Sequence, residues 1–275
     1  MPLLRSLLSV VLTMLLAACA ATHTPEDSEE HSAEHGAKPG YATRWAAYSV
    51  EYQAVSAQIY AQATRDIPRL LDDPSWSAVP GFAADANKPP AVILDVDETI
   101  LSGTDMELTM VPFSTQRQYE WGKANKPIPI RGVVDFIDAA RDAGIEVFIL
   151  TNRPCDQYEG TTGDCPTEEV TLKSLSDIGI EVDGAHAHFA NEQPGWDREK
   201  VTRREFIAET HRVIMVFGDD FGDFVACSRG TPKLPCTRPA TRESRAAALE
   251  TYQEYFGNGW YILPNPMYGS WTSVE

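Results

Sequence analysis

Basic residues, internal repeats and cysteine-pair motifs are scarce or missing in this sequence of 275 residues. It holds 23 Lys and Arg residues against 40 Asp and Glu residues, which gives a formal net charge of −17 at pH 7. A surface this acidic repels a phosphodiester backbone, so nucleic acid is excluded as a bulk partner. Any anionic ligand has to be neutralised locally, by a cation or by a few basic groups. No repeat is present, and residues 41–275 have the length of one domain.

A long apolar run is also missing, because the one near the N-terminus is too short to cross a bilayer. Arg5 precedes an apolar stretch over residues 7–18, whereas a spanning helix needs roughly 20 apolar residues. This pattern predicts an export signal. The tetrapeptide LAAC at 16–19 is typical of a bacterial lipobox, in which Cys19 becomes the lipidated first residue. The alternative is an ordinary cleaved signal in which Cys19 is incidental.

The residues after Cys19 predict where the folded part of the chain is attached. Ala20 rather than Asp follows the cysteine, which by resemblance to sorted lipoproteins indicates the outer membrane. Up to residue 40 the chain is polar, and such a segment buries too little surface to offset its ordering entropy. We therefore expect a lipoprotein signal peptide (1–18), a disordered tether (19–40) and one extracytoplasmic domain (41–275), anchored to the membrane through the lipid.

The four remaining cysteines form two close pairs, Cys155 with Cys165 and Cys227 with Cys236. Loop-forming residues such as Gly and Thr lie between the members of each pair. Free thiols and a four-cysteine zinc site are the alternatives, but zinc ligands usually come as CxxC pairs, and none is present. The pattern predicts two short-range disulfides and an oxidising compartment.

Apolar runs that alternate with helical patterns predict an α/β fold. Trp45, Tyr48, Tyr52, Val55 and Ile59 recur at spacings of three and four, which predicts an amphipathic helix ending near residue 71 whose aromatic side chains lie in the core. Further helices are predicted over 133–143, 167–178 and 198–210, and buried strands over 91–94, 145–150, 212–217 and 260–263. We expect a doubly wound, mainly parallel sheet with an N-terminal helical extension and a small cap.

Polar residues follow three of the predicted strands directly. DVDET occupies 95–99, Thr151-Asn152-Arg153 follows the second strand, and GDDFGD occupies 218–223. Ligands of doubly wound sheets bind beyond the carboxyl ends of the strands. Carboxylates crowded there need a countercharge, and oxygen ligands select magnesium or calcium over zinc. A structural turn whose acids cap the next helix is the alternative reading of DVDET.

A lysine ahead of the third strand completes this set of groups. The ammonium of Lys200 is suited to neutralising a phosphate together with the nucleophile that attacks it. Lys173 is the alternative for this role.

Four motifs occur along the chain in the order DVDET, Thr151, Lys200 and GDDFGD. In this order they resemble the four motifs of the haloacid dehalogenase superfamily. The N-terminal helix, KVTRR at 200–204 and LPNPMYGSW at 263–271 further resemble the class C acid phosphatases, the bacterial lipoprotein 5'-nucleotidase family.

The resemblance implies catalytic roles for the matching residues. Asp95 is expected to attack phosphorus and form an aspartyl-phosphate. Asp97 is expected to protonate the leaving alkoxide and then to activate water, which favours an acidic pH optimum. Thr151 and Lys200 are expected to hold the phosphoryl oxygens.

The resemblance also implies a metal site and a substrate class. Mg²⁺ is expected on the carboxylates of Asp95 and Asp219 and on the backbone carbonyl of Asp97, with Asp223 supporting these ligands. Asn152 and Trp121 are expected to contact substrate, core packing being the alternative for the tryptophan. The expected activity is hydrolysis of small phosphate esters, 5'-nucleotides among them. A broad-specificity phosphatase, a phosphotransferase and a non-catalytic binding lipoprotein are the alternatives.

Overall fold

The computed structural model describes residues 38–274, whose strands form one parallel sheet with the order β3-β2-β1-β4-β5. The predicted α/β fold is thereby confirmed. The predicted signal peptide, Cys19 and the tether up to residue 37 lie outside the described residues. The strands are β1 (Pro90–Leu94), β2 (Glu146–Pro154), β3 (Ala187–Ala190), β4 (Arg212–Gly218) and β5 (Trp260–Ile262).

Helices connect the strands and cover both faces of the sheet. They are α1 (Tyr41–Tyr48), α2 (Val50–Asp72), α3 (Thr104–Glu107), α4 (Thr115–Ala124), α5 (Val133–Asp142), α6 (Pro166–Ser176), α7 (Val201–Thr210) and α8 (Arg242–Tyr252). Within residues 38–274, no helix combines the length and the hydropathy needed to cross a bilayer.

The central strand β1 shows why an unbroken apolar run marks a buried parallel strand. Val92 and Leu94 belong to the core beneath α2 and α5, whereas Ala91 and Ile93 belong to the core on the opposite face. Because side chains alternate between the two faces and both are covered, every position has to be apolar. All four residues are at most 2% exposed.

The order of the strands determines where a ligand binds. The chain runs outward from β1 through β2 to β3, then crosses back to β4 on the other side of β1. The direction of winding therefore reverses between β1 and β4, and in such sheets the crevice at this point, beyond the carboxyl ends of the strands, is the usual binding site.

The N-terminal helix departs from its prediction. Ser49 leaves the helical conformation (φ −82°, ψ 137°), and its hydroxyl accepts a hydrogen bond from the backbone N–H of Tyr52, so that α2 begins afresh. The buried face of α2 consequently starts at Tyr52, while Trp45 and Tyr48 on α1 are 37% and 65% exposed. The prediction that these two aromatic residues lie in the core is wrong.

Other helix and strand boundaries differ from the predicted ones by a few residues. Strand β2 continues to Pro154, so Thr151 and Arg153 lie within the strand rather than beyond its end. Helix α7 starts at Val201, with Lys200 at its N-cap. Neither β3 nor the helices α4 and α8 were predicted.

Both predicted disulfides are present, linking Cys155 to Cys165 and Cys227 to Cys236, and the free-thiol and zinc alternatives are wrong.

Candidate active site

Carboxylates from two adjacent strands meet in the crevice between β1 and β4. The backbone N–H of Asp95 donates to the carbonyl of Phe217 (3.1 Å), which extends the pairing of the two strands by one residue. Asp219 follows β4 directly. One oxygen from each of Asp95, Asp219 and Asp223 lies within 4.8 Å of the others. These three residues, called the carboxylate cluster below, are thus brought together as the sequence predicted.

Lys200 lies within the carboxylate cluster and Lys173 does not. The Nζ atom of Lys200 is 2.5 Å from Oδ1 of Asp95 and 2.7 Å from Oδ1 of Asp223, and the side chain is 2% exposed. Lys173 is 71% exposed on α6 and pairs with Asp177. Burial by itself lowers the pKa of Lys200, but the charges of Asp223 and Asp95 hold it above its ordinary value. Lys200 is therefore a fixed cation at the centre of the crevice.

One ammonium does not neutralise the cluster. Burial raises the pKa of Asp95 to about 6, against the opposing charge of Lys200. Burial, followed by the charges of Asp223 and Asp95, raises the pKa of half-buried Asp219 well above its ordinary value. The group therefore has a deficit of positive charge. Because every nearby ligand atom of the cluster is a carboxylate oxygen, the donor set fits a hard divalent cation.

The carboxylate of Asp97 is held by Arg153. Nη2 of Arg153 donates to Oδ1 of Asp97 (2.8 Å) and Nε donates to Oδ2 (3.0 Å), while Nη1 donates to Oγ1 of Thr171 (3.1 Å). Burial lowers the pKa of Arg153, and the Asp97 charge more than offsets this. Arg153 was not predicted as a site residue, although the basic residue at the end of TNR was a signal for it.

The end of β2 is fixed by a second buried arginine. Nη1 of Arg203 donates to the carbonyl of Thr151 (2.5 Å), and Nη2 donates to the amide oxygen of Asn152 (2.7 Å). The Oγ1 atom of Thr151 accepts from the N–H of Arg153 (3.2 Å). Thr151 is fully buried in this arrangement. KVTRR contained this arginine, but no role was predicted for it.

The loop after β4 is shaped by Asp223. Its Oδ2 atom accepts from the N–H groups of Asp219 (3.1 Å) and Asp220 (2.9 Å), while Oδ1 accepts from Lys200. A Cβ atom on Gly218 would collide with this carboxylate, which explains the glycine that begins the motif. Asp223 thus orients its neighbour Asp219 as well as contributing charge.

Glu98, the fourth residue of DVDET, ties three parts of the chain to the first motif. Its Oε1 atom accepts from the N–H of Gly103 (2.6 Å) and the hydroxyl of Tyr268 (3.2 Å), and Oε2 accepts from the hydroxyl of Tyr52 (3.3 Å). The residue is fully buried and has a positive φ of 57°. No role was predicted for Glu98, because nothing in the local pattern identifies its distant partners.

The aromatic residue of α4 that approaches the site is Tyr119. It stacks on Tyr158 with ring centroids 4.8 Å apart, and both line a small recess that also includes Arg153. Trp121 lies half-buried on the same helix, and among the described residues it does not line this recess. That Trp121 contacts substrate stays a prediction.

Comparisons with known proteins identify the family and support the fold. The family described as HAD superfamily, subfamily IIIB (Acid phosphatase), matches residues 9–271. Two structures of the class C acid phosphatase from Bacillus anthracis share the fold. One, with tungstate bound, has 23% identity and a TM-score of 0.66, and the other has 23% identity and a TM-score of 0.65. Each comparison covers 84% of both chains. The chain belongs to subfamily IIIB of the HAD superfamily, the acid phosphatases, and is a phosphomonoesterase.

Proposed function

We propose that the protein hydrolyses small phosphate monoesters with Mg²⁺, through a phosphoryl group held covalently on Asp95. The observation that carries the proposal is the convergence of Asp95, Asp219, Asp223 and Lys200 in the β1–β4 crevice. Asp95, Asp219 and the backbone carbonyl of Asp97 are the proposed metal ligands. When bound, Mg²⁺ supplies the positive charge that offsets repulsion between the nucleophile and the phosphate.

The first half of the reaction transfers the phosphoryl group to the protein. A carboxylate oxygen of Asp95 bonds to phosphorus, the ester P–O bond breaks, and Asp97 gives its proton to the departing alkoxide. Lys200 and the Thr151 hydroxyl hold the phosphoryl oxygens, and Asn152 offers its amide nitrogen beside them. Positioning and charge stabilisation account for most of the catalysis of such transfers.

The second half releases phosphate. Asp97, now a carboxylate, takes a proton from water, the water oxygen bonds to phosphorus, and the bond to Asp95 breaks. The hydrogen bonds from Arg153 suit this carboxylate form. Asp97 regains its proton in this step, so the acid of the first half is restored for the next cycle.

The substrate class and location are proposed on several grounds. Tungstate, found in the similar Bacillus anthracis protein, is a tetrahedral oxyanion like phosphate. We propose small phosphate esters, including nucleoside 5'-monophosphates, as substrates. Two disulfides fit an oxidising compartment, and with the lipobox ending at Cys19 they favour an outer-membrane lipoprotein outside the cytoplasm.

The test is the isosteric variant Asp95→Asn, assayed on p-nitrophenyl phosphate with Mg²⁺ and with EDTA. The amide is not a nucleophile toward phosphorus, so we expect activity at the level of the uncatalysed background. Asp177→Asn, at an exposed ion pair with Lys173, is the matched control and should keep wild-type kcat/KM. Wild-type turnover by Asp95→Asn would refute the assignment, and full activity in EDTA would refute the metal.

A panel of substrates then distinguishes between the more specific activities. Nucleotides, sugar phosphates and aryl phosphates ranked by kcat/KM distinguish a nucleotidase from a broad-specificity phosphatase. Addition of an alcohol acceptor, with free phosphate and phosphorylated alcohol measured side by side, identifies a phosphotransferase.

A further inference from the structure

The segment after β5 reaches the carboxylate cluster from the edge of the sheet. The backbone N–H of Leu263 donates to the carbonyl of Gly218 (2.8 Å), the residue immediately before Asp219. Asn265 follows two residues later, between Pro264 and Pro266. Proline fixes its own φ and restricts the residue before it to extended conformations. The backbone on both sides of Asn265 is therefore stiff.

The side chain of Asn265 is oriented by its own backbone. Its Oδ1 atom accepts from the N–H groups of Met267 (2.9 Å) and Tyr268 (3.4 Å), as in an Asx turn. Since backbone donors use the amide oxygen, the NH₂ group has to point the other way. There, Nδ2 donates to Oδ2 of Asp219 (2.8 Å).

Two further contacts hold this segment against the motifs. The N–H of Ser270 donates to Oδ2 of Asp220, and the hydroxyl of Tyr268 donates to Oε1 of Glu98 (3.2 Å). Residues 265–270 are thus attached to the first and the last motif at once. The donor that faces Asp219 is consequently held by the tertiary structure and not by the side chain alone.

We infer that Asn265 is a positioning residue that orients the Asp219 carboxylate for Mg²⁺. The inference rests on the proposed function, in which Asp219 is a metal ligand. A donor on Oδ2 fixes the rotation of the carboxylate and favours its ionised form, while Oδ1 accepts no hydrogen bond within residues 38–274. Hydrogen-bond partners of metal ligands typically contribute about 10- to 100-fold to metal affinity.

Two variants distinguish the effect of the hydrogen bond to Asp219 from the effect of the Asx turn. Asn265→Ala removes both the hydrogen bond and the turn. Asn265→Ser keeps a side-chain oxygen that accepts from the N–H two residues on, but its shorter side chain does not reach Asp219. Asn258→Ala is the control, because Asn258 makes one exposed hydrogen bond to Arg69 (2.7 Å) away from the site. Circular dichroism and melting temperature in EDTA verify that each variant folds.

The readout is the dissociation constant for Mg²⁺ alone, measured by calorimetry without substrate, together with kcat at saturating Mg²⁺. We expect both Asn265 variants to bind Mg²⁺ about tenfold more weakly, with kcat largely restored by excess Mg²⁺, and Asn258→Ala to match wild type. Wild-type affinity in Asn265→Ser overturns the inference, even if Asn265→Ala binds weakly, since the turn alone would then matter. If the wild-type protein itself binds no Mg²⁺, the proposed metal site fails, and the inference fails with it.

Discussion

Replacing Glu98 with glutamine tests whether a buried carboxylic acid holds the first motif in place. Burial raises the pKa of Glu98 to about 8, so the group carries a proton at neutral pH. Gly103 and Tyr268 donate to Oε1. The hydroxyl of Tyr52 donates to Oε2. Glutamine has nearly the same shape, keeps an oxygen that accepts from Gly103 and Tyr268, and places its NH₂ group beside the Tyr52 hydroxyl, whose oxygen also has acceptor capacity.

The pH dependence of stability gives the magnitude. The folded-state pKa of Glu98 is raised from 4.5 to about 8, so between these values the folded protein binds more protons than the unfolded chain. The contribution is complete below pH 4.5 and is lost progressively as the pH rises to about 8. Over this pH range the free energy of unfolding falls by on the order of 5 kcal/mol at most through Glu98. Glutamine does not titrate, so the stability of Glu98→Gln does not undergo this decrease with rising pH.

The assay is urea unfolding at pH values from 5 to 9, in EDTA so that no divalent cation contributes. We expect Glu98→Gln to gain stability relative to wild type across this range, with the difference levelling off above about pH 8. Glu250→Gln, at an exposed position of α8, should follow wild type at every pH. A difference between Glu98→Gln and wild type that stays constant from pH 5 to pH 8 would show that Glu98 is ionised in the folded protein and refute the reasoning.

Two further predictions concern Arg153 and Cys19. Arg153→Met removes the hydrogen bonds to Asp97, and we expect kcat on p-nitrophenyl phosphate to fall about 100-fold with KM little changed. Equal losses in kcat and in Mg²⁺ affinity would argue against an effect through Asp97. Cys19→Ala removes the proposed lipid attachment, so we expect the protein to move from the membrane fraction to the soluble fraction of cells, and retention in the membrane would contradict lipidation at Cys19.

The parts of the molecule that the sequence predicts well are those that depend on local pattern. Residues 91–94 and 212–217 are unbroken apolar runs, and such runs identify strands buried on both faces. Once they are placed in a parallel sheet, the polar residues after them must share one edge. Asp95 and Asp219 could therefore be assigned to one site without knowledge of any contact.

The parts that it misses depend on distant partners or on weak local signals. β3 spans only Ala187–Ala190 and includes His188, too little to distinguish a strand from a loop. The break at Ser49 turns α1 away from the face that α2 buries, which a single periodic pattern does not reveal. Asn265 is more than 40 residues from Asp219, and only the pairing of Leu263 with Gly218 brings the two together.

The charges beneath the strand ends explain how an acidic protein accommodates an anionic substrate. Arg203 and Arg204 are buried, and both donate to backbone carbonyls, of Thr151 in one case and of Asp223 and Phe224 in the other. Burial lowers the pKa of both guanidinium groups to about 10, so they stay charged at neutral pH. Their charges interact with Asp95 and Asp223, so they offset part of the negative charge of these carboxylates and reduce the repulsion of a phosphate in a site of low dielectric. This effect is confined to the crevice, while the surface of a chain with a net charge of −17 repels extended polyanions. This combination favours a small phosphate ester over a nucleic acid.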